Sequence, residues 1–273
     1  MPFWSVTREQ YEADREHLRS TWLKDFILEG PWYYHDKYIA NTLSDKQTDD
    51  LLLGMMVHEF ILEGKSRWSV YDGVRRGDRW EQFERDCVAS GAVPVTRRMN
   101  EQLNGMREAV FRNSEARRLI ESDGMHEQPI EWNEPYGKFA ISSKCLLDRL
   151  QHDGTVADLK TAHDASPDGF FRQKINLGYH ISAAWYERGR ASILGEVKAP
   201  FIHIAVSKSE PFRCVCYAMQ DELLAVARRD IASGLEQLAE CRESGVWPDR
   251  LADKVVYHPV PRWFLWENGY GVG

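Results

Sequence analysis

Asp158, Leu159 and Lys160 set a carboxylate and an ammonium two positions apart inside TVADLKTA, a run that reads as a strand. Alternate residues of a strand share a face, so Asp158 and Lys160 project together. Asp148 ends an earlier strand-like run, GKFAISSKCLLD, and Asp153-Gly154 marks a turn between the two. An odd loop, such as three residues, would set Asp148 directly opposite Asp158, with Cβ atoms roughly 5 Å apart. A strict two-residue turn would put them on opposite faces. Two carboxylates on one face repel unless a cation lies between them, and hard oxygen ligands of this type suit Mg²⁺ or Mn²⁺. Such a metal binds a phosphate oxygen, lowers the pKa of a bound water and stabilises transition-state charge, while a neighbouring lysine orients or deprotonates that water. The chemistry these residues could perform is phosphodiester hydrolysis.

The acid-x-lysine triplet alone says little, since Glu63-Gly64-Lys65 and Glu196-Val197-Lys198 share it. The hairpin, with a second acid on the preceding strand and a long helix after it, sets Asp158 apart. Rival chemistries lack their residues. His58-Glu59 is followed by Phe60-Ile61-Leu62 and His126-Glu127 by Gln128-Pro129-Ile130, so there is no HExxH. There is no P-loop, hence no ATP motor, no GxGxxG, and no convincing Cys/His pair. The five cysteines, Cys87, Cys145, Cys214, Cys216 and Cys241, form no CxxC. They read as buried thiols, with Cys214 and Cys216 on one strand face.

Several elements must position these residues. Helices are expected over 7–28, capped by Thr7, over 44–63, capped by Ser44 or Thr48, and over 99–122. Three strands follow at 127–132, 137–148 and 155–160. A helix at 167–188, strands at 199–206 and 212–219, and a helix at 221–244 complete the pattern. Residues 65–96 are charged and aromatic without clear periodicity. The order gives an α/β (α+β) core with a helical N-terminal part. At roughly 100–200 residues per domain, 273 residues without repeat or linker fit a single domain. Its divisions are a mainly helical part (1–95), a core (96–246) and a C-terminal tail (247–273).

The chain carries 35 Lys and Arg against 42 Asp and Glu, a net charge of -7, so bulk charge does not announce a nucleic-acid binder. Any phosphate-binding surface must be local. The longest uncharged apolar run, 51–57, is far too short to span a membrane. The first residues lack the basic start and apolar core of a secretory signal, so a cytoplasmic protein is expected.

The combination resembles the PD-(D/E)xK nuclease superfamily, and more closely its phage-type exonuclease VIII (RecE-like) branch, related to lambda exonuclease and the RecB nuclease domain. The resemblance covers most of the chain after about Leu51. LLLGMMVHEFILEG is similar to the helix that bears a metal-site histidine, here His58. EQPIEW and GKFAISSKCLLDRL resemble the acidic strand and the metal-binding aspartate strand, here Glu127 and Asp148, with Glu131 a rival. DLKTAHDASPDGF resembles the D/E-x-K strand and the helix entry after it. Trp247-Pro248 and PVPRWFLWE are similar to the branch's C-terminal pattern. The resemblance implies a restriction-endonuclease-like core, a central mixed β-sheet flanked by helices. It implies Mg²⁺ (or Mn²⁺) held by Asp148, Asp158, Glu127, His58 and the carbonyl of Leu159, with Lys160 activating water.

Two departures stand out. Leu147 replaces the proline before the first aspartate. On the following helix the Gln-x-x-x-Tyr motif has become Ser182-Ala-Ala-Trp-Tyr186. The motif implies substrate binding at these positions: Tyr186 matches, Ser182 replaces the glutamine that supports substrate positioning, and Gln173 could substitute only by rearrangement. Trp185 reads as packing, and Lys174, Arg172, Arg97 and Arg98 as phosphate contacts or a solvated charged face.

The resemblance further implies 5′-to-3′ digestion of linear duplex DNA, a 3′ strand passed to a recombinase or single-strand annealing protein, a ring-like homo-oligomer, and a phage or bacterial origin. A ring would concentrate basic residues in its channel and leave the exterior acidic. The alternatives are a single-strand or structure-specific nuclease of the same superfamily, or a non-catalytic DNA-binding protein with a nuclease fold. Dependence on a free DNA end separates the nucleases from one another. Metal-dependent hydrolysis separates them from the binding protein.

Overall fold

A computed structural model describes residues 6–44, 48–136, 139–252, 255, 257, 260, 262–267 and 269. In chain order the helices and strands begin with α1 (Arg8–Ala13), α2 (Ser20–Leu28) and α3 (Pro31–Tyr34), the last running into a π-helical turn (His35–Ile39). Next come α4 (Asp49–Leu62), β1 (Trp68–Tyr71), α5 (Asp78–Ser90), β2 (Val93–Thr96), α6 (Arg97–Arg112) and α7 (Ser114–Glu121). The strands β3 (Gly124–Tyr136), β4 (Phe139–Gln151) and β5 (Val156–Ala162) follow. The chain continues through α8 (Pro167–Asn176), α9 (Tyr179–Leu194), β6 (Phe201–Ser207), β7 (Cys214–Ala218), α10 (Asp221–Ser244) and α11 (Arg262–Glu267).

A five-stranded mixed sheet ordered β3-β4-β5-β6-β7 lies at the centre. The β5–β6 pair is parallel and its neighbours are antiparallel. Val156 of β5 belongs to an apolar cluster built with α2, α9 and α10, while Ala157 and Leu159 join a second cluster with α4, α6 and α7. Helices thus cover both faces of a mixed α+β core, a restriction-endonuclease-like arrangement. Cys214 and Cys216 pack against the second cluster, and all five cysteines are free thiols.

Three helices expected as continuous are broken, each for a local reason. The 7–28 helix splits after Ala13 because Leu18 pairs with β4: its N–H donates to the Ser142 carbonyl and its carbonyl accepts from Lys144 (both 2.8 Å). The buried Lys144 ammonium then caps the end of α1, donating to the carbonyls of Tyr11 (2.6 Å) and Asp14 (3.0 Å). At Asn113 the side chain accepts from Glu115 and Ala116, so one residue ends α6 and caps α7. Gly178 is left-handed (φ 63°) and separates α8 from α9.

Residues 65–96, where no element was expected, form a small parallel β1–β2 pair linked by α5. Thr48, one of two proposed caps, begins α4 by accepting from Leu51. Gly137 and Lys138 of the expected second strand lie outside the described residues, as do Pro259 and Pro261 of the tail. No helix among the described residues is long and apolar enough to cross a membrane.

Candidate active site

A three-residue loop, His152-Asp153-Gly154, joins β4 to β5 and sets the register of the two aspartates. It is closed by Gln151 N–H donating to the Thr155 carbonyl (2.9 Å) and Gly154 N–H to the Gln151 carbonyl (2.9 Å). Gly154 is left-handed (φ 88°), and a Cβ there would fall 2.8 Å from Val197 Cγ1. With Leu150 paired to Val156 and Arg149 to Ala157, the next step along the hairpin places Asp148 opposite Asp158. The ladder stops there. Asp148 Oδ2 accepts the Leu159 N–H (2.8 Å) instead, so the strands part where the two acids stand.

Asp158 is 2% exposed, and its Oδ2 lies 2.6 Å from Lys160 Nζ. Burial raises the proton affinity of the Asp158 carboxyl; Lys160 opposes the shift and the like charge of Asp148 adds to it. Burial disfavours the Lys160 charge, but Asp158 and Asp148 outweigh it and hold the ammonium above its ordinary range. From α4, His58 Nδ1 comes to 3.5 Å from Asp148 Oδ2.

Glu127 falls opposite Asp148, between the pairs His126–Arg149 and Gln128–Leu147, but the ladder skips it. Its φ is +42°, a left-handed conformation that costs about 1–2 kcal/mol for a residue with a Cβ. Arg8 bridges Glu127 (2.6 Å) and Glu63 (3.0 Å). The Glu127 carboxyl is pushed up to about 7, first by burial; Arg8 opposes, and Glu63 and Asp148 add. The rival Glu131 is exposed and faces His17 at 3.6 Å.

The helix residues have other surroundings than the motif implies. Gln173 lines the cleft, yet its amide is committed to the end of β5: Nε2 donates to the Thr161 carbonyl (2.9 Å) and Oε1 accepts from His163 N–H (3.1 Å). Ser182 is buried within α9 and does not line the cleft. Tyr186, one turn on, accepts a hydrogen bond from Ser20 Oγ (3.4 Å), and burial, with Asp158 nearby, holds its phenol protonated. Trp185 is packing: it is fully buried and donates to the Lys144 carbonyl (3.0 Å). Lys174 is not a surface phosphate contact. It is buried, with Nζ 5.3 Å from the Phe170 ring and 5.8 Å from that of Tyr217. Arg97 pairs with Asp72 (2.7 Å), whereas Arg98 and Arg172 are exposed.

The cleft holds about 840 Å³ and is lined by Lys160, His58 and Gln173 together with Arg8, Tyr179 and Lys208, which sequence reasoning missed. Arg8 sits on a helix whose only signal is a Thr7–Gln10 capping box, and nothing in that pattern points to a site. Lys24 was also missed. Its Nζ donates to the carbonyl of the cleft residue Leu177 (3.2 Å) and lies 5.7 Å from the Tyr179 ring, itself 5.5 Å from Lys160 Nζ. Burial and the Lys160 charge lower Lys24 to about 8.

Among the described residues, no three His, Cys, Asp or Glu side chains converge as a ready-made metal centre. The donors nevertheless suit a hard divalent cation. Two carboxylates face each other across parted strands, and Lys160 Nζ, 3.4 Å from the Leu159 carbonyl, neutralises them. Burial, and after it the like charge of Asp148, raises Asp158, and positive charge at this point opposes that shift.

No curated protein matches the sequence. The structure is similar to that of a candidate exonuclease from Eubacterium rectale (TM-score 0.68, 18% identity, 96% of this chain and 98% of that one), which supports the fold. Weaker similarities are to the protein SSO0001 (TM-score 0.43, 12% identity, 89% and 93%) and a phage-related exonuclease from Haemophilus somnus 129PT (TM-score 0.33, 13% identity, 84% and 96%). Residues 20–258 match the model of a family described as a PDDEXK-like domain of unknown function (DUF3799), and the chain belongs to that family, within the PD-(D/E)xK nuclease superfamily.

Proposed function

We propose that this nuclease is a Mg²⁺-dependent exodeoxyribonuclease acting on linear duplex DNA. The observation that carries the reading is the placement of Asp148 opposite Asp158 where β4 and β5 part, with Lys160 against Asp158. Asp148, Asp158 and the Leu159 carbonyl would hold the cation, with Glu127 and His58 beside them. The metal supplies Lewis-acid polarisation of the phosphate and a bound water of lowered pKa. Lys160 orients the attacking water and balances charge on the phosphoryl oxygens. Arg8 and Lys208, on the cleft wall, bind the DNA backbone. Gln173 anchors the end of β5 and so fixes where Lys160 points.

The preference for a free end, the 5′-to-3′ direction, a role in recombination with a single-strand annealing partner and a ring-like homo-oligomer are inferred from the resemblance to the exonuclease VIII branch. The test is digestion of one plasmid in two forms with Mg²⁺. Linearised DNA should be degraded while the covalently closed circle survives. Cleavage of the circle would assign an endonuclease instead.

A further inference from the structure

β6 is buried on both faces, and His203 is the one titratable side chain in it. The ring is 1% exposed and boxed by the rings of Phe201 (5.2 Å), Phe170 (5.8 Å) and Tyr179 (6.0 Å). Neither ring nitrogen has a hydrogen-bond partner. A buried polar group left unpaired costs stability, and an apolar ring would fill this box without that cost. The parallel register sets His203 beside Asp158, and Nε2 lies 3.6 Å from Asp158 Oδ2, just outside hydrogen-bond distance. That same oxygen is the one Lys160 holds.

We propose that His203 is the positioning residue for Asp158, donating a ring N–H to the carboxylate when Lys160 turns to the substrate and keeping the carboxylate aimed at the cation. This rests on the metal-dependent reading above. When Lys160 leaves, Asp158 loses its near partner inside an apolar surround. The neutral ring donates with its proton on Nε2, the nitrogen that faces Asp158, and a shift of a few tenths of an ångström brings that N–H into bonding distance. The aromatic box keeps the ring from turning to other partners. Partners of this kind behind a metal-ligating carboxylate are worth about 10–100-fold in metal affinity.

The test uses the full chain and Mn²⁺ alone as probe, with affinity read by titration calorimetry and Tm read without metal. His203→Phe should weaken Mn²⁺ binding about 10–100-fold while Tm stays level or rises. His203→Gln, which keeps a donor, should bind within a few-fold of the native protein. Native affinity in the phenylalanine variant overturns the proposal. So does a large fall in its Tm, or a glutamine variant that loses Mn²⁺ as fully as the phenylalanine one, since either marks a packing role. A native protein that binds no Mn²⁺ overturns the metal reading itself, and the proposal with it.

Discussion

Asp158 shares its buried surroundings with Lys160, Asp148 and His203, and its charge is costly there. Asp158→Asn relieves that charge but leaves the buried Lys160 ammonium with Asp148 alone, so Tm, measured by thermal melting, should fall modestly while turnover falls at least about 10³-fold. Loss of both fold and activity would make Asp158 a structural acid. Lys24 is lowered to about 8, chiefly by burial and then by Lys160, so its charge is present below that pH and lost above it. Were its ammonium, held at the cleft rim by the Leu177 carbonyl, to contact a phosphate, DNA affinity would fall as pH rises through about 8, and Lys24→Arg, whose guanidinium stays charged, would remove that step in a binding titration. Asp158 and Lys160 were legible because strand alternation sets them on one face, whereas Asp148 was reached through the family resemblance, its face depending on the length of the turn. Lys24, Arg8 and His203 were not, because helices and strands distant in sequence bring them in. Glu63 shares the Glu-x-Lys spacing without the hairpin, and Arg8 together with a direct hydrogen bond between the two carboxyls ties it to Glu127.

The β4–β5 loop is the element on which the site depends. Gly154 is left-handed and faces Val197, so Gly154→Ala should destabilise the protein by about 1–2 kcal/mol, read from denaturant midpoints. Because the same turn sets Asp148 against Asp158, activity per folded molecule should also fall. The sequence left open whether this loop was odd or even; three residues and Gly154 settle it. Periodicity located the large helices and strands but not their breaks. Leu18, beyond the end of α1, pairs with β4, and Asn113 and Gly178 each end one helix and admit the next, events set by tertiary contacts and single backbone angles. Residues 65–96 hid β1 and β2 because short, half-exposed strands carry little alternation, and α5 because Trp80 and Cys87 are its only buried residues. Ser182, which breaks the Gln-x-x-x-Tyr pattern, is buried inside α9, so Ser182→Gln should cost stability rather than improve catalysis, as Tm and turnover measured together would show.

Across the whole molecule, a chain of net charge -7 gathers Arg8, Lys160 and Lys208 at one cleft. Each is paired with a carboxylate (Arg8 with Glu63 and Glu127, Lys160 with Asp158, Lys208 with Asp50), so the proposed binding of DNA exchanges these partners for phosphates and should depend strongly on salt. Family membership and fold agree with a nuclease, to which the proposed function adds the metal, the free end and the polarity. The most direct test is Mg²⁺-dependent digestion of linear duplex DNA labelled at either the 5′ or the 3′ end, comparing the native protein with Asp158→Asn. The native protein should release the 5′ label early, and chelation or the Asp158→Asn substitution should abolish that release. Digestion that survives the substitution, or none by a folded native protein that still binds the DNA, would contradict the proposed function.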